Sequence, residues 1–193
     1  MTTFVLHGGM SNRDTVNNEL FYGQFTALVH KDNVKILLCY WARAKEEWNE
    51  KFEREKSRIL KVSNKKISVD MVDSPEGLFT KLKNADVLSV SGGEEKNLRP
   101  YMSKLNKLKE ALEGKVYIGS SMGAFLAAQH YVLSMSSQDT NTVYDGLGLV
   151  PYNILCHWDV EAQKDRKISM LKGKYPQTQI LLLDEEKFRI LKE

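Results

Sequence analysis

The chain has 193 residues, 42% of them hydrophobic and 27% charged, a composition that suits one globular domain with a substantial core and not a disordered chain. Its 28 basic and 25 acidic residues are interspersed, so the net charge of +3 carries no basic stripe of the kind that binds nucleic acid or an anionic membrane. The longest apolar runs, ILLCYWA and ILLL, fall far short of the roughly 20 residues of a membrane span, and MTTFVLHGG lacks the basic start and the length of a signal peptide; the expected location is cytoplasmic.

In chain order, the strand TFVLHGG is followed by a helix-like stretch from about Asp14 to Val29 and by the strand VKILLCYWA. From Lys45 to Leu60 charges are dense, but Trp48, Phe52, Ile59 and Leu60 recur at near-helical spacing, as a surface helix with one buried stripe requires. ISVDMV reads as the third strand. Ser74 then stands where an N-cap belongs, with Pro75 at the first helical position and Glu76 in the first turn. DVLSVSGG is the fourth strand. From Lys96 to Glu113, Leu98, Met102, Leu105, Leu108 and Leu112 step by three or four, which predicts a helix closed by Gly114. KVYIGSSMGAF is a strand running into a helix, SMSSQDTNTVYDG is a long polar loop, and GLVPYNILCHWD and ILLLDEE each hold a further strand. Cys39 and Cys156 lie in apolar strand-like runs and read as buried, reduced thiols.

Apolar strands alternating with helices predict an α/β fold, a doubly wound, mostly parallel sheet with helices on both faces, in one domain spanning residues 1–193. Ligands of such sheets bind beyond the carboxyl ends of the strands, and three of these ends stand out. At the first, Gly119-Ser120-Ser121-Met122-Gly123 fits G-x-S-x-G, a nucleophile elbow in which the central Ser121 projects its hydroxyl above the sheet while Ser120 points into the turn. At the second, Gly92 and Gly93 follow the fourth strand; the backbone N–H groups of Gly93 and Met122 are candidates for an oxyanion hole. At the third, a strand ends in His157, downstream of the serine as the base of an α/β hydrolase should be. His7 ends the first strand and lines the same edge, whereas His30 lies beside a charged turn and His130 in the helix after the elbow. The acid that orients the histidine has several candidates: Asp184, Glu185 and Glu186 in LLLDEE, Asp139 in the polar loop, and Asp159 beside the histidine. No metal-ligand pattern, phosphate-binding glycine motif or other cofactor signature is present.

SVSGGEEKNL, IGSSMGAF, GLGLVPYNILCHWD and ILLLDEE occur in the order found in the dipeptidase E and cyanophycinase family of serine peptidases, which the sequence resembles over nearly its full length. The resemblance implies a flavodoxin-like fold similar to the class I glutamine amidotransferases, Ser121 as nucleophile, His157 as base and Glu185 as orienting acid. It also implies no cofactor and no metal, a short or aspartyl-type peptide as substrate, and a cytoplasmic enzyme. Met122 departs from the family pattern, which has alanine after the nucleophile, and sets a long side chain beside the oxyanion site.

The expected activity is that of a serine-type exopeptidase or dipeptidase-like hydrolase, with a short peptide as partner, neither nucleic acid nor membrane, and a homodimer as the oligomer considered. Arg43 and Arg166 are candidate receivers of an acidic substrate side chain. The alternative is a non-catalytic relative that uses the cleft to bind a small molecule or partner, for which Met122 speaks. A thiol mechanism is disfavoured because Ser121 occupies the elbow, and Cys156 should face away from the site if His157, its neighbour along an extended strand, faces in.

Overall fold

The computed structural model describes residues 1–134 and 141–193. In chain order the elements are β1 (Thr3–His7), α1 (Val16–Ala27), β2 (Asn33–Cys39), α2 (Trp48–Val62), β3 (Lys66–Met71), α3 (Pro75–Leu82), β4 (Val87–Val90), α4 (Glu95–Met102), α5 (Leu108–Ala111), β5 (Val116–Ser120), α6 (Met122–Ala127), β6 (His130–Val132), β7 (Val143–Asp145), β8 (Asn153–Cys156), α7 (Lys164–Lys174), β9 (Ile180–Leu183) and β10 (Phe188–Lys192). The helix start expected at Ser74 is present, and α1 has a side-chain cap of the same kind. Thr15 caps α1 by accepting from the Asn18 N–H, and Ser74 caps α3 by accepting from the Gly77 N–H at 3.0 Å, with Pro75 at the first helical position.

The fold is α/β, built on two mostly parallel sheets instead of one. Six strands run in the order β10-β1-β5-β4-β2-β3, and four in the order β7-β6-β8-β9. In the larger sheet β1, β5, β4, β2 and β3 are parallel, and β10 joins β1 antiparallel. β4 and β5 are buried at every residue, which explains why they read as unbroken apolar runs without alternation. Residues of both sheets share one core: Phe4, Tyr117 and Val90 belong to it together with Tyr131, Ile154 and Leu183. Among the described residues no helix is long and apolar enough to cross a membrane.

Three expectations are corrected. The continuous helix from Lys96 to Glu113 is instead α4 and α5 joined by turns, in which the N–H groups of Lys104, Leu105 and Leu108 each donate to the carbonyl three residues back. Such turns bring side chains three apart to the same side, so Leu98, Leu105, Leu108 and Leu112 are all buried without a continuous α-helix. His130 opens β6 and does not lie in the elbow helix, which ends at Ala127; its Nδ1 is 2.9 Å from Asp145 Oδ1 and its ring stacks on Tyr175. Part of the polar loop is ordered into β7, which pairs with β6, while Asp139 lies outside the described residues.

Candidate active site

β5 lies between β1 and β4 in the sheet, so the three chain segments leaving their carboxyl ends converge on one edge. Ser121 follows β5 with φ 50° and ψ −106°, a conformation that costs a non-glycine residue about 1–3 kcal/mol and is held by its surroundings. Its N–H donates to the His7 carbonyl at 2.9 Å, and its carbonyl accepts from the N–H groups of Ala124 and Phe125. The flanking glycines are required sterically: a Cβ at Gly119 would stand 2.5 Å from the Gly123 carbonyl oxygen, and one at Gly123 would stand 2.0 Å from that of Val90. Small residues on either side of the serine therefore let helix α6 start almost on top of the sheet.

His157 and Glu185 come from the other sheet. β8 and β9 are parallel neighbours with Cys156 opposite Leu183, so the residues just beyond their carboxyl ends emerge side by side. Ser121 Oγ lies 3.0 Å from His157 Nε2, and His157 Nδ1 lies 2.8 Å from Glu185 Oε1. The side chains of His157 and Glu185 are only 18% and 12% exposed. With Glu185 ionised, its carboxylate accepts the Nδ1–H, which leaves Nε2 bare to accept the proton of the Ser121 hydroxyl. Glu185 is itself held: its second oxygen is 3.1 Å from Arg13 Nη1, and its N–H donates to Asp159 Oδ1 at 2.8 Å. Of the other acids, Asp184 pairs with Lys187, Glu186 pairs with Arg13, and Asp159 meets the backbone of Glu185 and not the imidazole.

On the opposite side of the serine, Gly92 approaches closely; a Cβ there would stand 3.1 Å from that of Ser121. Gly93 lines a cavity together with Ser121 and His157 and packs against the Ala42 carbonyl. Among the described residues, neither the Gly93 nor the Met122 N–H donates to another protein group. The Met122 side chain does not crowd this region as its sequence position suggests. It is 1% exposed and belongs to the core, because the elbow turns the residue after the serine inward. Ser120 is also largely buried, with Oγ 3.5 Å from His7 Nδ1 and 3.4 Å from Ser11 Oγ.

Ser121 and His157 open into a cavity of about 460 Å³. Its wall carries Arg43, Lys51, Arg54 and Arg58 alongside the carboxylates Glu55 and Glu94. Burial, followed by the cations of Arg43 and Arg54, holds the Lys51 ammonium below its usual range. Burial pushes the Glu55 carboxyl up, although it accepts from Tyr40 Oη at 2.9 Å and Ser89 Oγ at 3.4 Å. Arg166 lies elsewhere, bonded to Asn141 and Gln163. Sequence reasoning missed Arg13 and the charged residues of α2. The α2 residues show only as the dense charge of residues 45–60, which is indistinguishable from an ordinary solvated face, and Arg13 is a single cation in the segment after the first strand with nothing to mark it. Both cysteines are buried and free, and burial pushes the Cys39 thiol up to about 12; Cys156 Sγ faces the backbone carbonyl of Ser121, 3.7 Å away, and not its hydroxyl.

His7 is fully buried, and burial drives its pKa from 6.5 down to about 4 despite the bond to Asn18; the charge of His157 lowers it further and that of Glu186 opposes. The imidazole is thus neutral in the folded protein, whereas the unfolded chain takes up its proton below pH 6.5. Stability from this group is complete above pH 6.5 and is lost as pH falls towards 4. At about 1.4 kcal/mol per pH unit, the loss reaches about 3 kcal/mol. Denaturant unfolding from pH 7 to pH 4 should show this decline, and His7→Phe should flatten it.

The sequence model of peptidase family S51 matches residues 4–191. Two of the solved structures that share the fold illustrate the likeness. One is a protein of Listeria monocytogenes EGD-e assigned as a peptidase E, 20% identical with a TM-score of 0.62, the alignment covering 100% of this chain and 99% of that one. The other is a peptidase of an acI-B1 actinobacterium, 12% identical with a TM-score of 0.65, covering 100% and 88%. No curated protein sequence gives a significant match.

Proposed function

The chain belongs to peptidase family S51, and from that membership we propose that it is a serine peptidase that hydrolyses short, aspartyl-type peptides through Ser121, His157 and Glu185. The observation that carries the proposal is the unbroken line from the Ser121 hydroxyl through both imidazole nitrogens to a carboxylate, at 3.0 and 2.8 Å, on a serine in strained elbow geometry. His157 Nε2 takes the hydroxyl proton as Oγ attacks the peptide carbonyl, and Glu185 stabilises the imidazolium that forms. The oxyanion meets the N–H groups of Met122 and Gly93, which have no competing protein acceptor among the described residues. His157 then gives its proton to the leaving amine, and water, deprotonated in turn by His157, releases the acyl group from Ser121.

An acidic substrate side chain is favoured by the cavity wall. Burial first, and then the charges of Arg43 and Arg54, disfavour the Lys51 charge, while Glu47 and Glu50 oppose them; a bound carboxylate would add to that opposition. The inward turn of Met122 removes the feature that spoke for a purely binding relative.

A fluorophosphonate probe tests the reading whichever peptide is the substrate, because it reports on the nucleophile alone. The folded protein should form one covalent adduct, mapped by mass spectrometry to Ser121 Oγ and prevented by heat denaturation. A folded protein that stays unlabelled, or is labelled elsewhere, would overturn the assignment and leave a binding cleft.

A further inference from the structure

The geometry points to His7 and Asn18 as positioning residues for this site: together they fix the strand-end segment 8–13, against which His157 and Glu185 are held. The inference rests on the proposed reading of those residues as base and orienting acid.

The hydrogen bonds fix the His7 tautomer. Asn18 Nδ2 donates to the carbonyls of Met10 and Arg13, both at 2.9 Å, so its Oδ1 is the atom left facing His7 Nε2 at 2.9 Å. The oxygen has no proton to give, hence His7 carries its hydrogen on Nε2. Nδ1 is then a bare acceptor, and the Gly9 N–H donates to it at 3.1 Å. One imidazole and one amide thus tie down the backbone at residues 9, 10 and 13.

That same backbone supports the reacting side chains. The Gly8 carbonyl accepts from the His157 N–H at 3.0 Å, and the Gly9 carbonyl accepts from the Glu186 N–H at 2.9 Å. Gly9, at φ 125°, lies flat against the imidazole; a Cβ there would stand 2.2 Å from His157 Cε1. Arg13 reaches the free oxygen of Glu185. Both residues beyond the ends of β8 and β9 therefore lean on a segment that His7 and Asn18 hold from the buried side, at residues 9, 10 and 13, while Ser120 and Arg58 hold it at Ser11 and Asn12. A displacement of about 1 Å at reacting groups costs about 100-fold in rate, so loosening this segment should be felt at Ser121 without any contact being lost there.

The test uses the full chain with a fluorophosphonate probe, plus proton NMR of the His157 Nδ1–H that bridges to Glu185. His7→Phe keeps a ring against Phe21, whose centroid lies 4.3 Å away, but offers Gly9 no acceptor. It should label at Ser121 about 10- to 100-fold more slowly, and the low-field Nδ1–H resonance should broaden or move upfield. His7→Asn, which returns an oxygen near the place of Nδ1, should recover part of both. Asn18→Leu serves if His7→Phe does not fold and should behave alike. A folded variant of either position with wild-type labelling and an unchanged resonance would overturn the proposal. A wild type that the probe leaves untouched would instead count against Ser121 as nucleophile, and the resonance alone would then decide whether His7 and Asn18 position the imidazole.

Discussion

Ser121→Ala should lower the hydrolysis of a panel of aspartyl and isoaspartyl dipeptides by about 10⁴-fold or more in kcat, leaving only what the oxyanion donors and substrate binding contribute. Its melting temperature should change by only a few degrees. Alanine at φ 50° keeps the backbone strain, and the variant loses one hydrogen bond, worth about 0.5–1.5 kcal/mol. Ser120→Ala is the internal comparison. That hydroxyl is directed towards His7 and Ser11, and its loss should cost far less than the loss of its neighbour. If the two variants lost activity alike while remaining folded, or if Ser121→Ala stayed active, the elbow serine would not be the nucleophile.

Glu185→Gln should lower kcat by about 10³- to 10⁴-fold with the fold intact. The amide is nearly isosteric but neutral. It cannot balance the imidazolium formed when His157 takes the serine proton, and by presenting its NH₂ to Nδ1 it would favour the tautomer with hydrogen on Nε2, where the base must be bare. Arg13 adds to the contrast, since the substitution leaves a cation 3.1 Å from a group that no longer carries charge. Asp184→Asn should do little, because that carboxylate pairs with Lys187 at 2.9 Å and does not meet the imidazole. Asp139→Asn is the matching control for the polar loop. Steady-state kinetics that ranked either control above Glu185→Gln would move the orienting role to that acid.

How much of this is legible in the sequence depends on whether the determining interactions are local. The elbow is, because clearance around Ser121 demands glycine at fixed offsets, and the strand–turn–helix context lies within a dozen residues. The position of His157 at a strand end is likewise readable from the apolar run before it. The acid is not fixed by pattern, since Asp184, Glu185 and Glu186 are consecutive carboxylates of equal chemistry; the resemblance singles out Glu185, and in the structure it is Glu185 that meets the imidazole. The split into two sheets is hidden because β6 and β7 have three residues each, too few to show a period, and FRILK, which forms the antiparallel edge β10 beside β1, carries no turn signal that marks it as a strand. The break between α4 and α5 is hidden for the opposite reason: leucines spaced by three and four are buried equally well by successive tight turns. Met122 misleads because its size is plain in the sequence and its direction is not.

The serine belongs to the six-stranded sheet, and the histidine and acid to the four-stranded one. The line of three groups therefore spans a seam and exists only while the two sheets stay in register. Across that seam the links from the 8–9 turn to His157 and Glu186 act like stitches. A slip of an ångström would leave the hydrogen bonds within each sheet and helix in place while shifting the core that the sheets share and parting the hydroxyl from the imidazole. Loss of reactivity at Ser121 is then a more sensitive gauge of the seam than any spectroscopic measure of secondary structure, and mild denaturant should silence the enzyme before it unfolds it.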